Sequence, residues 1–326
     1  MNQRLTDLRA LAGAAALALA CGLAAAQAAF PNKPITLIVP NPPGGLVDGS
    51  ARLLSEPLSR VVNQPVVIDN RGGASGNVAY GNVARAAPDG YTLLVSYSAY
   101  HVGNPVLSPK LPWAQKDFVP VALITAATNV IAVHPSVPAD NLVDFIAFLK
   151  KNPGRISYAS QGNGSLSHVG TEMFKLRTGT SMVHIPYRGS GQAIQDVLSG
   201  QVQVFITTPP SVMQHVQSGK LKGLAVTGKT RFPGLPNVPT TAEAGLKGFE
   251  LEAWIAIFAP AGTSADVVAR LSAAIKQALD QPETKIRANT AGIELRYLPP
   301  DQLDAMVKSE TEFWTKTIKS AGITAD

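Results

Sequence analysis

A single cysteine, Cys21, among 326 residues leaves almost no room for a disulfide framework, a thiolate metal site or a cysteine nucleophile. Charge is also sparse: Asp, Glu, Lys and Arg make up 15% of the chain, and the net charge of +6 is scattered rather than gathered into a basic run. That distribution argues against nucleic acid as a partner and reads as a mild general attraction for anions. The sequence contains neither H-E-x-x-H nor G-x-S-x-G, so zinc-protease and serine-esterase readings have no anchor. Beyond residue 30 no stretch of about 18 apolar residues occurs, so no membrane span is expected there. There is no tandem repeat and no low-complexity tract after the N-terminus. What is present is an ordinary globular composition, 45% hydrophobic, at a length that suits two modest α/β units.

The first 28 residues read as an export leader. Arg4 and Arg9 supply the positive start, Leu11 to Ala20 the short apolar stretch, and Ala26-Gln27-Ala28 an A-x-A cleavage signal. The expected location is the periplasm, with the only cysteine lost on cleavage. The alternative is a lipoprotein tethered through Cys21, which follows Ala18-Leu19-Ala20. No metal, cofactor or catalytic residue is expected, and the chain is expected to act as a monomer.

The remaining chain alternates strand-like and helix-like segments. Val66–Asp69, Thr92–Val95 and Val119–Ile124 have the continuous apolar character of strands buried on both faces. Helical periodicity separates them over Val47–Val62 and Asn77–Ala86. A second set begins near Val130, with a helix at Leu142–Lys151 capped by Asp140. Strands follow at Ile156–Ala159, Met182–Tyr187, Val202–Thr207 and Leu221–Thr227. Residues 228–250, rich in Pro and Gly, read as a surface connection leading to a last strong strand at Leu251–Phe258. Thr263-Ser264-Ala265-Asp266 then opens a helix, Ile293–Leu298 forms a strand, and a terminal helix carries an apolar stripe of Leu303, Met306, Val307, Phe313, Trp314 and Ile318. The fold class expected is α/β, with mostly parallel sheets flanked by helices.

Two glycine-rich turns each follow a strand and open a helix: Pro42-Pro43-Gly44-Gly45 and Gln161-Gly162-Asn163-Gly164-Ser165. A helix start presents unpaired backbone N–H groups and the positive end of the helix dipole, which together favour an anion. One such turn is ordinary chain reversal; two in separate α/β halves suggest a cleft that grips a carboxylate from both sides. With Ser165 as N-cap, Leu166 becomes the first helical residue, and its N–H would point at the ligand.

Longer motifs stand in a familiar order. They include Pro42-Pro43-Gly44-Gly45-x-x-Asp48, Asn70-Arg71-Gly72-Gly73-Ala74-Ser75-Gly76-Asn77 and Ala87-Pro88-Asp89-Gly90-Tyr91-Thr92. Tyr158-Ala159-Ser160-x-Gly162-Asn163-Gly164-Ser165-x-x-His168, His184-Ile185-Pro186-Tyr187-Arg188-Gly189-Ser190 and Val238-Pro239-Thr240-x-Ala242-Glu243-Ala244-Gly245 follow. As an ordered set they resemble the Bug family, the extracytoplasmic solute receptors of tripartite tricarboxylate transporters, across essentially all of the chain after the leader. The resemblance implies a two-lobed, type II periplasmic-binding-protein fold that closes on a small carboxylate and delivers it to membrane permease subunits. It places one lobe at 29–128 plus 252–326 and the other at 129–251. The two hinge crossings would lie near Asn129 and Glu252.

Carried over residue by residue, the resemblance makes Pro43, Gly44, Gly45 and Asp48 the first gripping turn, with Asp48 orienting the loop rather than touching an anion. Ala74 and Ser75 would line the same lobe's side of the cleft, and Tyr97, Ser98 and His101 would follow its third strand. Opposite them would stand Ser160, Gly162, Asn163, Gly164, Ser165 and His168. At Thr207 and Thr208 the chain departs from relatives that carry an acidic residue and Asn there, which implies a different ligand preference.

Gly223-Leu224-Ala225-Val226-Thr227-Gly228-Lys229-Thr230 matches the phosphate-loop pattern letter for letter. Its intervening residues, however, read as a strand, and Arg231-Phe232-Pro233 cannot open a helix cleanly, so the match is set aside. Two other classes stay open beside a transport receptor: a carboxylate sensor feeding a signalling partner, and a secreted α/β hydrolase.

Overall fold

The computed structural model describes residues 30–108 and 110–323, so the leader at 1–28 and Cys21 lie outside the described residues. The chain opens with β1 (Ile35–Val39), α1 (Leu46–Val62), β2 (Val66–Asn70), α2 (Asn77–Ala84) and β3 (Thr92–Tyr97). A π-helical turn at Ala99–Gly103 leads to a short helix, α3 (Asn104–Leu107), and then to β4 (Phe118–Thr128). β5 (Val130–Val133), α4 (Leu142–Lys151), β6 (Ser157–Ser160), α5 (Leu166–Thr178), β7 (Val183–Pro186), α6 (Ser190–Leu198), β8 (Val204–Thr207), α7 (Pro209–Gln217) and β9 (Lys222–Val226) follow. The chain ends with β10 (Glu252–Pro260), α8 (Ala265–Asp280), α9 (Pro282–Ala291), β11 (Glu294–Leu298) and α10 (Pro300–Ala321).

Two sheets organise these elements. One has the order β11-β4-β10-β3-β1-β2, the other β7-β6-β8-β5-β9. In β1, Ile35, Leu37, Ile38 and Val39 are buried because helices cover both faces of the sheet. Every residue of β10 except Glu252 is buried. The expectation of mostly parallel sheets is corrected: only the β2–β1–β3 and β7–β6–β8 pairings are parallel. β10 runs antiparallel to β3 and β4, and β5 runs antiparallel to β8 and β9. The strands along which the chain passes between the sheets are the antiparallel ones, since a passage out and a passage back must run in opposite directions.

Three segments meet at that passage. Thr227 accepts the Asn129 N–H on its Oγ1 at 2.8 Å, and Asn129 Nδ2 donates to the Leu251 carbonyl at 2.9 Å. All three residues are buried. α5 also reaches across: Leu166 and Val169 pack into the hydrophobic core of the first sheet beside Leu251.

Two local expectations change. Asn141, not Asp140, caps α4, because its backbone is extended and its side chain accepts the Asp144 N–H at 2.9 Å. Asp140 instead pairs with Lys222 at 2.7 Å. In α10, Leu303, Val307, Trp314 and Ile318 are buried, but Phe313 is 47% exposed, so the apolar stripe is narrower than the sequence pattern suggests. The helix opened by Thr263-Ser264-Ala265-Asp266 is α8, but its cap is Ser264, which accepts the Val267 N–H, while Thr263 donates its hydroxyl to the Pro260 carbonyl at 2.8 Å. Among the described residues no helix is long and apolar enough to cross a membrane.

Candidate functional site

The ends of β1, β3, β6, β7 and β8 converge on a cleft between the sheets. The turn after β1 carries Gly44 and Gly45 at φ of 89° and 93°. Gly45, the residue before α1, combines that φ with a ψ of −177°, a conformation that essentially only glycine adopts. No side chain caps α1, so its first backbone N–H groups remain available.

Asp48 lies buried beneath this turn. Its Oδ2 accepts the Gly44 N–H at 3.0 Å and Arg52 Nε at 2.8 Å, while its Oδ1 accepts Asn70 Nδ2 at 3.0 Å. Burial alone would raise the carboxyl, but the hydrogen bonds from Arg52, Gly44 and Asn70 outweigh it and hold Asp48 below the usual carboxylate range. Asp48 therefore braces the loop and does not line the cavity.

The turn after β7 repeats the device. Gly189 precedes α6 at φ 112° and ψ 174°, again without a side-chain cap. A methyl group placed on Gly45 would sit 3.8 Å from Ser190 Oγ, so the two helix starts face each other at close range. They enclose a cavity of about 440 Å³ whose lining includes Gly44, Gly45, Arg188, Ser190 and Thr208. Thr208 stands at the N-cap of α7 without a side-chain cap bond: Pro209 and Pro210 have no N–H, and the Ser211 N–H goes to the Thr208 carbonyl at 3.1 Å. That hydroxyl is thus left for the cavity. Behind it, Thr207 Oγ1 accepts Gln161 Nε2 at 3.3 Å and steadies Gln161 at the cavity wall.

A second cavity of about 680 Å³ adjoins the first, sharing Asn41, Pro42, Tyr100, Gln161, Arg188 and Gly189. Its walls include Ala74, Ser75, Gly162, Asn163, Gly164 and Ser165. Ala74 and Ser75 both have positive φ, near 50°, and Asn104 Nδ2 secures their turn by donating to the Ser75 carbonyl at 2.9 Å. Neither cavity is lined by an Asp or Glu, and Arg188 is the cationic side chain common to both.

Ser165 caps α5 as expected, accepting the His168 N–H and donating to the Gly162 carbonyl at 2.6 Å. The expectation for Leu166 is corrected. Leu166 is buried in the hydrophobic core of the first sheet and lines neither cavity. The helix start of α5 is therefore packed against the first sheet. Leu166→Ala should lower stability by about 2–4 kcal/mol, read from the urea midpoint at constant m-value. An unchanged midpoint would show that this packing contributes nothing.

Several sequence-derived candidates lie behind the cleft. Ser98 is buried, and its Oγ accepts the Trp254 N–H at 3.3 Å. His101 is stacked 4.4 Å from Phe258 inside the core, where burial pushes its imidazole down to about 3 and keeps it neutral. Ser160 Oγ bonds His184 Nε2 at 2.6 Å. His168 Nδ1 accepts the Gly164 N–H at 3.1 Å, and its ring stacks on His184 at 4.0 Å. Ser160 and His168 thus shape the turn without lining either cavity. The residues missed were Asn41, Gln161, Arg188, Gly189, Ser190 and their neighbours. The signal was present, since Ile185-Pro186-Tyr187-Arg188-Gly189-Ser190 is a third strand–glycine–helix start.

The phosphate-loop look-alike is not a phosphate loop. Gly223–Val226 belong to β9, and residues 228–230 form bends with no helix after them.

Residues 50–323 match the model of the tripartite tricarboxylate transporter family receptor. BugT of Bordetella pertussis is 37% identical over 306 residues, covering 92% of this chain and 94% of BugT. A Rhodopseudomonas palustris protein solved with adipate has a TM-score of 0.85 at 33% identity, covering 90% of this chain and 99% of its own. MatC from the same organism, with bound malate, has a TM-score of 0.80 at 32% identity, covering 89% and 100%.

Proposed function

This chain belongs to the receptor family of the tripartite tricarboxylate transporters, a family of two-lobed periplasmic solute-binding proteins, and on that premise we propose that it captures a small organic carboxylate between its lobes and delivers it to the membrane permease subunits of such a transporter. One observation carries the reading: α1 and α6, from opposite lobes, aim uncapped N-termini at one cavity with no acidic side chain in its wall. The adipate and malate seen with the two Rhodopseudomonas proteins support a carboxylate.

In this reading Pro43, Gly44, Gly45, Arg188–Gln192 and Thr208 meet the ligand directly. Tyr97 lines the inner chamber and Ala74, Ser75 and Gly162–Ser165 bound the outer one, while Asp48, Ser98, His101, Ser160, His168 and Thr207 hold the frame. The lobes comprise 29–128 plus 252–326 and 129–251. They close about Asn129 and the Leu251–Glu252 return, in the hinge manner. The protein acts as a monomer, binding without chemical change, after export to the periplasm.

A thermal-shift screen against an organic-acid library tests binding, because a ligand at 100 times its Kd adds about 2.7 kcal/mol of stability. Hits confined to non-carboxylates, or turnover of model esters, would overturn the proposal. The best hit should also contract the scattering radius. For export, the intact mass of the periplasmic protein should correspond to a chain starting at Ala29, whereas a diacylated species beginning at Cys21 would refute cleavage there.

A further inference from the structure

Asn41 stands where the two chambers of the cleft meet, lining both together with Tyr100. Its Nδ2 donates to Tyr100 Oη at 3.1 Å, and its backbone carbonyl accepts Asn70 Nδ2 at 3.0 Å. Its Oδ1 is enclosed and has no hydrogen-bond partner among the described residues. A buried acceptor left unpaired costs free energy, so a carbonyl oxygen in this position calls for a donor. Tyr100, already accepting from Asn41, keeps its own proton for donation. Burial raises the Tyr100 hydroxyl above its ordinary value, so it stays protonated at neutral pH.

The pair therefore offers one acceptor and one donor side by side at the waist of the cleft. Turning the amide over exchanges the roles without removing either: Tyr100 would donate to Oδ1, while Nδ2 and the tyrosine oxygen would face the ligand. A carboxylate brings acceptors only, and would satisfy the donor half while leaving the acceptor half unpaired. We infer that Asn41 and Tyr100 read a hydroxyl group carried on the ligand's carbon chain next to a carboxylate, so that the preferred ligand is a hydroxy-substituted acid rather than its deoxy counterpart. An ammonium group could also donate, but neither chamber holds an acidic side chain to balance its charge, and Arg188 lines both. The inference rests on the carboxylate reading and narrows it.

Calorimetry with matched acids tests it: succinate against malate, glutarate against 2-hydroxyglutarate, and aspartate and glutamate as the amino counterparts. In the pair whose length fits, the hydroxy acid should bind at least tenfold more tightly than the deoxy acid. In Asn41→Leu the ratio should fall to within about twofold. Equal affinity within the pair for the native protein overturns the inference whether or not the variant folds, and leaves the carboxylate reading intact. A ratio preserved in folded Asn41→Leu overturns the role of Asn41, and tightest binding of the amino acid overturns the hydroxyl. If no acid of the set or of the wider library binds, the carboxylate reading itself fails and the inference with it.

Discussion

Asp48→Ala should weaken carboxylate binding severely and destabilise the fold by about 2–4 kcal/mol. The carboxylate organises four groups: the Gly44 N–H, Arg52, Asn70 and, through Asn70, the Asn41 carbonyl. Hydrogen bonds to a charged group contribute about 1.5–3 kcal/mol each and do not add, which sets the range. Arg52 is half exposed, so water solvates the cation left behind and the larger penalty of a stranded buried charge does not apply. With its brace removed, the Gly44-Gly45 turn no longer points the start of α1 at the cavity, and affinity should drop by 30-fold or more.

The pH dependence gives an independent check with a definite sign. Asp48 is held below its unfolded value in the native state, so its contribution is present above the unfolded carboxylate pKa and is lost as pH falls through the lower native one. The stability gap between native protein and Asp48→Ala should therefore be full at pH 7 and shrink on acidification below about pH 4. A gap that does not change with pH would mean that the lost hydrogen bonds, and not ionisation, account for the effect. Retained affinity would remove Asp48 from the site altogether.

Gly189→Ala is expected to have the next largest effect, and by a different route. No heavy atom lies within 4 Å of the position a methyl group would take, so the substitution meets no steric obstacle. The cost lies in the backbone, because φ of 112° with ψ of 174° is strained for any residue bearing a Cβ, by about 1–3 kcal/mol. The turn can relieve that strain by moving, which re-aims the N–H groups at the start of α6. Losing one or two hydrogen bonds to a carboxylate should weaken binding by roughly ten- to several-hundred-fold. Gly154→Ala is the matched control: it also has positive φ and open space, but lies away from both chambers. It should lose some stability, less than Gly189→Ala, with no change in affinity. Equal affinity losses in both variants would point to global loosening, and no loss in Gly189→Ala would show that α6 does not hold the ligand.

Much of this organisation is legible in the residues. The largely apolar runs of β1, β3 and β10 encode buried strands, and Ser165 marks a helix start that is found where the sequence puts it. The glycine pair after β1 requires a conformation that other residues resist, and Asp48 three residues on has the reach to brace it. Other features were legible but overlooked, such as Arg188-Gly189-Ser190. Some were misleading: Asp140 is as good a cap by type as Asn141, and only the extended backbone of Asn141 selects between them.

By itself the sequence determined the kind of protein this is: an α/β chain of the tricarboxylate-receptor family with glycine turns that open helices. Those are local properties, set by backbone preference and by the spacing of apolar residues along a few turns of chain. The tertiary structure alone decided which helix starts meet. α1 and α6 lie about 140 residues apart and face each other only because strand order carries β1 and β7 to the same cleft. It decided that Leu166 packs into the core of the first sheet, and that Asn41 stands beside Tyr100 with an oxygen unpaired. Such pairings arise from packing between segments distant in the chain, and no local preference of either residue encodes the partner it will meet.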